Sequence, residues 1–270
     1  MANDTLQIQE QQQKWFERFL RFGLVSKGVV YCLVGVLAFM AAYDIQKQEA
    51  SKTSAIGLIH DQPFGKFLMA IIATGLFGYV TLRFVQAFRD IDNKGAGAKG
   101  LMTRFGYGFS GLLYLALAVY AVRLLFAGTN TDSESEKFTI TKILTYETGP
   151  WFIGTTGLII IGNGIYQIYR AVSGTFMKKI TVMRADLENV FKKAGIVGYI
   201  SRGIVLVIIG YLLLHAALTS DPANVRGSSK EAFNFIEHTF GGLLMSLIAV
   251  GLIGYGLFNF VKAKFQRIQF

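Results

Sequence analysis

GLVSKGVVYCLVG, running from Gly23 to Gly35, decides the fold, because the chain writes it again as GYGFSGLLYLALA (Gly106 to Ala118) and GYISRGIVLVIIG (Gly198 to Gly210). Each copy has two glycines five positions apart, then Tyr31, Tyr114 or Leu206 three positions on, and a small residue seven after the second glycine. Between these copies a second stretch recurs, as GLFGYVTLR (Gly75 to Arg83), GNGIYQIYR (Gly162 to Arg170) and GLIGYGLFN (Gly251 to Asn259). Offsets of 83 and 92 residues for the first stretch, and 87 and 89 for the second, make the two stretches one unit used three times. A unit of roughly 85 residues is larger than common solenoid repeats.

Both stretches sit inside long apolar runs. A helix needs about 20 such residues to cross a ~30 Å hydrocarbon core, and six runs meet that length: 22–43, 64–85, 105–126, 151–171, 196–218 and 240–261. None contains Asp or Glu. The 270 residues are 52% hydrophobic and 16% charged, with a mean hydropathy of +0.43. Soluble domains carry about a quarter charged residues, so a soluble fold is excluded. The single cysteine, Cys32, lies within the first run, which rules out an intrachain disulfide and a cysteine-based metal site.

Each unit therefore reads as a helical hairpin. The expectation is an all-α membrane protein: six transmembrane helices as three tandem hairpin repeats around a pseudo-threefold axis along the membrane normal. The divisions are a polar, amphipathic N-terminal segment at 1–18 and repeats at 19–92, 93–179 and 180–270. Short amphipathic pieces, SAIGLIHDQ, FTITKILTYE and EAFNFIEHT, are expected as outer-surface helices leading into the even spans. Those spans open alike with Pro63-Phe64, Pro150-Trp151 and Thr239-Phe240, the prolines standing where a helix tolerates a missing N–H. Segment QIQEQQQKWFERF is expected to lie along the inner interface, and the polar N-terminus argues against a cleaved signal.

The net charge of +10 would point a soluble chain toward nucleic acid. In a membrane chain it reports topology instead: 19 of the 27 Lys and Arg fall on the side holding both termini, against 7 of the 17 acids. Both termini are expected in the cytoplasm, with no nucleic-acid partner.

The pattern of Arg21, Gly23, Gly28 and Tyr31, then Pro63 and Gly65, then Gly75, Tyr79 and Arg83, resembles that of bacterial three-repeat, six-helix membrane proteins grouped as a domain of unknown function. The likeness covers about residues 18 to 265 and weakens in the third repeat, where Leu206 and Asn259 replace Tyr and Arg. It implies a bacterial inner-membrane location and carries no activity with it. Mitochondrial carriers are also three hairpins, but their proline and salt-bridge motif is absent from the odd spans.

Chemistry could reside in one place. Tyr79 and Arg83, Tyr166 and Arg170, and Tyr255 and Asn259 each share a helix face at i, i+4 spacing. Lys27 and Arg202 align with each other about one turn inside the odd spans. Together these residues could receive an anionic headgroup or solute near the cytoplasmic leaflet, since a cation inside a membrane is a functional hypothesis by default. The structural reading, preferred on sequence alone, is that the glycines admit close helix approach, the tyrosines bond between helices and the cations snorkel to headgroups. Asn163 is expected in one interhelical hydrogen bond. His60, His215 and His238 do not form a ligand set by spacing. No metal, cofactor or catalytic residue is expected, and no nucleophile elbow, P-loop or zinc motif occurs.

The function expected is therefore non-enzymatic: a membrane protein that binds lipid, anionic lipid included, or a protein partner within a membrane complex. The alternative is a small-solute or ion transporter using the pseudo-threefold axis. Missing carboxylates in the spans disfavour a proton relay or cation pump.

Overall fold

The computed structural model describes residues 2–43, 52–60, 64–89, 95–127, 148–177, 180, 185–219 and 229–266. Among them are seven α-helices: α1 (Ala2–Ala42), α2 (Lys52–His60), α3 (Gly65–Phe88), α4 (Ala98–Ala127), α5 (Gly149–Val172), α6 (Ala185–Thr219) and α7 (Ser229–Phe265). A short 3-10 turn, Thr175–Met177, follows α5. Five of these helices, α1, α3, α4, α6 and α7, are long and apolar enough to cross a membrane. Helix α5 equals α3 in length at 24 residues, but Thr155, Thr156, Asn163 and Gln167 dilute its apolar character.

Two expected boundaries differ. The amphipathic N-terminal segment is continuous with the first span in the 41-residue α1, and no break separates an in-plane piece. At 1.5 Å per residue that helix is about 60 Å long, so it outruns any bilayer core. Similarly, the third outer piece is fused to the last span in α7, with only Gly241 (φ 84°, ψ 168°) departing from helical geometry. The first outer piece is α2, which packs on α1, α3 and α4 with Ala55 and Ile56 fully buried. The second, 138–147, lies outside the described residues.

In space the long helices follow the order α4, α3, α1, α7, α6, α5, each packed on the next. Glycine explains how closely. A Cβ on Gly28 would meet the Phe260 ring at 2.6 Å and the Gly256 carbonyl at 2.9 Å, so α1 and α7 touch backbone to backbone. Gly203 and Gly164 do the same for α6 and α5, and Gly210 and Gly157 repeat the contact further along. In lipid, where apolar chains gain little by leaving other apolar chains, such small-residue contacts supply much of the helix association. Among the described residues α4 and α5 form no comparable interface, so the order does not close into a ring.

Arginines fasten helix ends. Arg21 donates to the carbonyls of Lys264 (2.9 Å) and Gln266 (3.2 Å), and pairs with Glu17 at 2.6 Å. Arg104, 83 residues on, donates to the carbonyls of Ala87 (2.8 Å) and Phe88 (2.9 Å) at the end of α3. In both cases a cation from the start of an odd span satisfies the orphan carbonyls, and the negative dipole end, of the preceding even span or of the last one. The third copy has Ile196 at the corresponding position, and α5 ends instead through its own turn at Gly174, φ 65°.

Candidate functional site

Tyr31 stands four residues after Lys27 on α1, which puts both on one helix face. That face turns into the bundle rather than toward lipid: Lys27 is fully buried, so its ammonium does not reach for headgroups. It donates to the hydroxyl of Tyr79 at 2.8 Å and to that of Tyr255 at 3.0 Å. Two further cations meet the same hydroxyls. Arg83 Nε donates to Tyr79 Oη at 2.6 Å, and Arg202 Nη1 donates to Tyr255 Oη. Arg83 also reaches Gln86 Oε1 at 2.9 Å.

Each phenol oxygen thus accepts from two cations, which occupies both lone pairs. Its own hydrogen is left to donate, and neither Tyr79 nor Tyr255 has an acceptor for it among the described residues. Arg202 Nε, with the residue 9% exposed, likewise has no hydrogen-bond partner.

Ring faces supply the rest of the surroundings. Lys27 Nζ lies 4.4 Å from the Tyr79 ring centre and 5.2 Å from those of Tyr114 and Tyr255. Arg202 lies 4.9 Å from Tyr255 and 5.2 Å from Tyr31. Arg83 lies between Tyr79 (5.0 Å) and Tyr107 (5.1 Å). Lys52 on α2 comes over Tyr31 (5.5 Å) and Tyr114 (5.2 Å). The rings hold one another too: Tyr79 with Tyr114 at 4.6 Å and Tyr31 with Tyr255 at 4.8 Å, both edge to face, and the Tyr114 hydroxyl donates to that of Tyr31 at 3.0 Å.

Energetically the cluster is one-sided. Taking an ion out of water costs several kcal/mol even after relaxation, whereas a desolvated cation–π contact returns about 2 kcal/mol. No carboxylate lies within the six apolar runs, and Glu17, which pairs with Arg21, precedes the first of them.

The structure thus brings together Lys27, Tyr79, Arg83, Arg202 and Tyr255. It does not bring the other three. Tyr166 is 43% exposed, and Arg170 rests against Tyr166 (5.9 Å) and Tyr199 (5.3 Å) instead. Asn259 is buried but turns its amide back to the Tyr255 carbonyl at 2.6 Å, leaving Oδ1 without a partner. Nor does Asn163 bond between helices: it accepts from Gln167 of its own helix at 3.3 Å. Sequence reasoning did not assign Tyr31, Tyr114, Tyr107 and Lys52 to the site. The first two were already visible as the tyrosines of the odd-span motif. Among the described residues no three His, Cys, Asp or Glu gather as metal ligands.

A threefold sequence repeat, five helices long and apolar enough to cross a membrane and a cation–tyrosine cluster among them define a multi-pass, all-helical membrane protein. The chain belongs to the family described as Domain of Unknown Function (DUF1206), whose pattern matches residues 22–90, 105–174 and 197–266. It is similar to "Uncharacterized protein YxxB" of Bacillus subtilis (strain 168), with 32% identity over 263 residues covering 97% of this chain and 95% of that protein. No solved structure matches.

Proposed function

We propose that this is a non-enzymatic inner-membrane protein that binds an anionic ligand, a lipid headgroup or an organic anion, in the cluster around Lys27. One observation carries the reading: three cations on α1, α3 and α6 converge on two tyrosine hydroxyls with no acid among the described residues hydrogen-bonded to them. A phosphate or carboxylate would accept the idle phenol hydrogens and the Arg202 Nε–H, and its charge would offset the excess of cations.

In this reading α5 is a sixth span, Arg170 and Asn163 being tolerable for a helix packed along one whole side on α6. Both termini are cytoplasmic, and the helix order around the bundle reflects a pseudo-threefold arrangement of the hairpins. A cysteine placed at Ser133, outside the described residues, should react with an impermeant thiol reagent in intact cells, and one at Gly97 should not. Reversed labelling would overturn the topology.

The ligand is tested with Arg83→Lys. A fork-shaped contact to phosphate or carboxylate is lost when the planar guanidinium becomes a point charge. Native mass spectrometry of the purified protein should show anionic lipid or glycerol 3-phosphate retained about tenfold less by the variant. Equal retention would mean that Arg83 only braces Tyr79.

A further inference from the structure

The hairpins are not packed alike. In the first, a Cβ on Gly23 would strike the backbone of Tyr79 and one on Gly75 the side chain of Ser26. In the third, Gly198 meets the backbone of Tyr255 and Gly251 the side chain of Ser201 in the same way. The second hairpin keeps both glycines, Gly106 and Gly162, yet a Cβ on either meets nothing within 4 Å. Its other residues at this seam are large: Phe109 stands where Ser26 and Ser201 do, and Ile165 where Gly78 and Gly254 do. The small-residue face that packs the other two hairpins is thus interrupted in the second, where no α4–α5 interface forms among the described residues. Ile165 and Tyr166 are exposed there, whereas Tyr79 and Tyr255 are buried.

The seam leads to charge. Arg170 belongs to the Gly162/Tyr166 stripe on α5, and Tyr107 on α4 touches Arg83 at 5.1 Å. An unpacked apolar seam with Arg83 beside Tyr107 of α4 on one side and Arg170 of α5 on the other suits a molecule with an acyl chain next to an anionic head. A free anion has no use for the seam, and a second copy of this chain would bring further arginines against these. Resting on the binding site argued above, we infer that an anionic phospholipid enters sideways between α4 and α5, its chain in the seam and its phosphate at Arg83 and Arg170.

The test is native mass spectrometry of the full chain in detergent, titrated with dioleoyl phosphatidylglycerol, dioleoyl phosphatidylcholine and glycerol 3-phosphate. The variants are the double change Gly106→Leu/Gly162→Leu and, independently, Ile165→Trp. Because both glycines face open space, the double variant should keep its melting temperature. Wild type should prefer phosphatidylglycerol over phosphatidylcholine about tenfold, and either variant should lose that retention by a similar factor while still binding glycerol 3-phosphate. Unchanged phosphatidylglycerol retention in both variants would overturn the seam and leave the anion site standing. So would wild-type dimers that the variants dissolve, since the seam would then belong to a second copy. Failure of wild type to bind both phosphatidylglycerol and glycerol 3-phosphate would remove the anion site itself.

Discussion

Leucine at Gly28 or at Gly203 should lower the melting temperature in detergent by several degrees, up to about 12 °C, while leucine at Gly106 should leave it nearly unchanged. At Gly28 the added carbon would lie 2.9 Å from the Gly256 carbonyl, and at Gly203 it would lie 2.9 Å from that of Gly164. A backbone oxygen cannot swing aside as a side chain can, so the helices must separate along their length. Overpacking typically costs 1–3 kcal/mol and occasionally more, and each kcal/mol moves the midpoint by roughly 2–4 °C in a chain near this size. Gly111, the second-repeat copy, should fall between the extremes, because its neighbours at 3.2–3.3 Å are the Phe84 ring and the Arg83 Cβ. Gly174 makes a poor reference despite its open surroundings, since its φ of 65° strains any side chain. Equal effects at Gly28 and Gly106 would remove the account of the helix contacts.

Replacing Lys27 by Met separates a binding role from a structural one by the sign of its effect. If the ammonium exists to hold Tyr79 and Tyr255 in place, its loss should destabilise the protein. If it exists to meet an anion, the ligand-free protein carries a buried cation whose desolvation cost of several kcal/mol is only partly offset. A methionine of similar length then removes that burden, and Tyr79 and Tyr255 still accept from Arg83 and Arg202. We expect the melting temperature without ligand to stay level or rise, and the rise produced by added phosphatidylglycerol to shrink by about tenfold in apparent affinity. A lower melting temperature with undiminished lipid response would assign Lys27 to structure alone.

Much of the architecture is legible in the glycines. Their spacing marks the hairpins, and their positions on the odd and even stretches coincide with where α1 meets α7 and α6 meets α5. What spacing does not reveal is whether a retained glycine still has a partner. Gly106 and Gly162 match their counterparts letter for letter, and the change lies beside them, in Phe109 and Ile165, which break the small-residue face without touching the motif. The buried cations were misjudged for a related reason. Depth along the helix permits Lys27 to snorkel, and only the neighbouring Tyr31, one turn away on the same face, says that the face looks inward. Arg21 and Arg104 share the repeat offset openly, but a helix-end carbonyl becomes a partner only when the ends of two distant helices are brought together.

The order of packing also sets an order of events in biosynthesis. Helix α1 leaves the ribosome first, yet its longest neighbour is α7, the last helix made. Lys27 can find Tyr79 as soon as α3 is inserted, but Tyr255 becomes available only after almost the whole chain has been translated. Until then an ammonium sits in the bilayer with half of its eventual hydrogen bonds. The last insertion step is therefore the one that buries the charge, and a nascent chain truncated before Tyr255 carries an exposed intramembrane lysine, a feature by which quality-control proteases can tell an unfinished copy from a finished one.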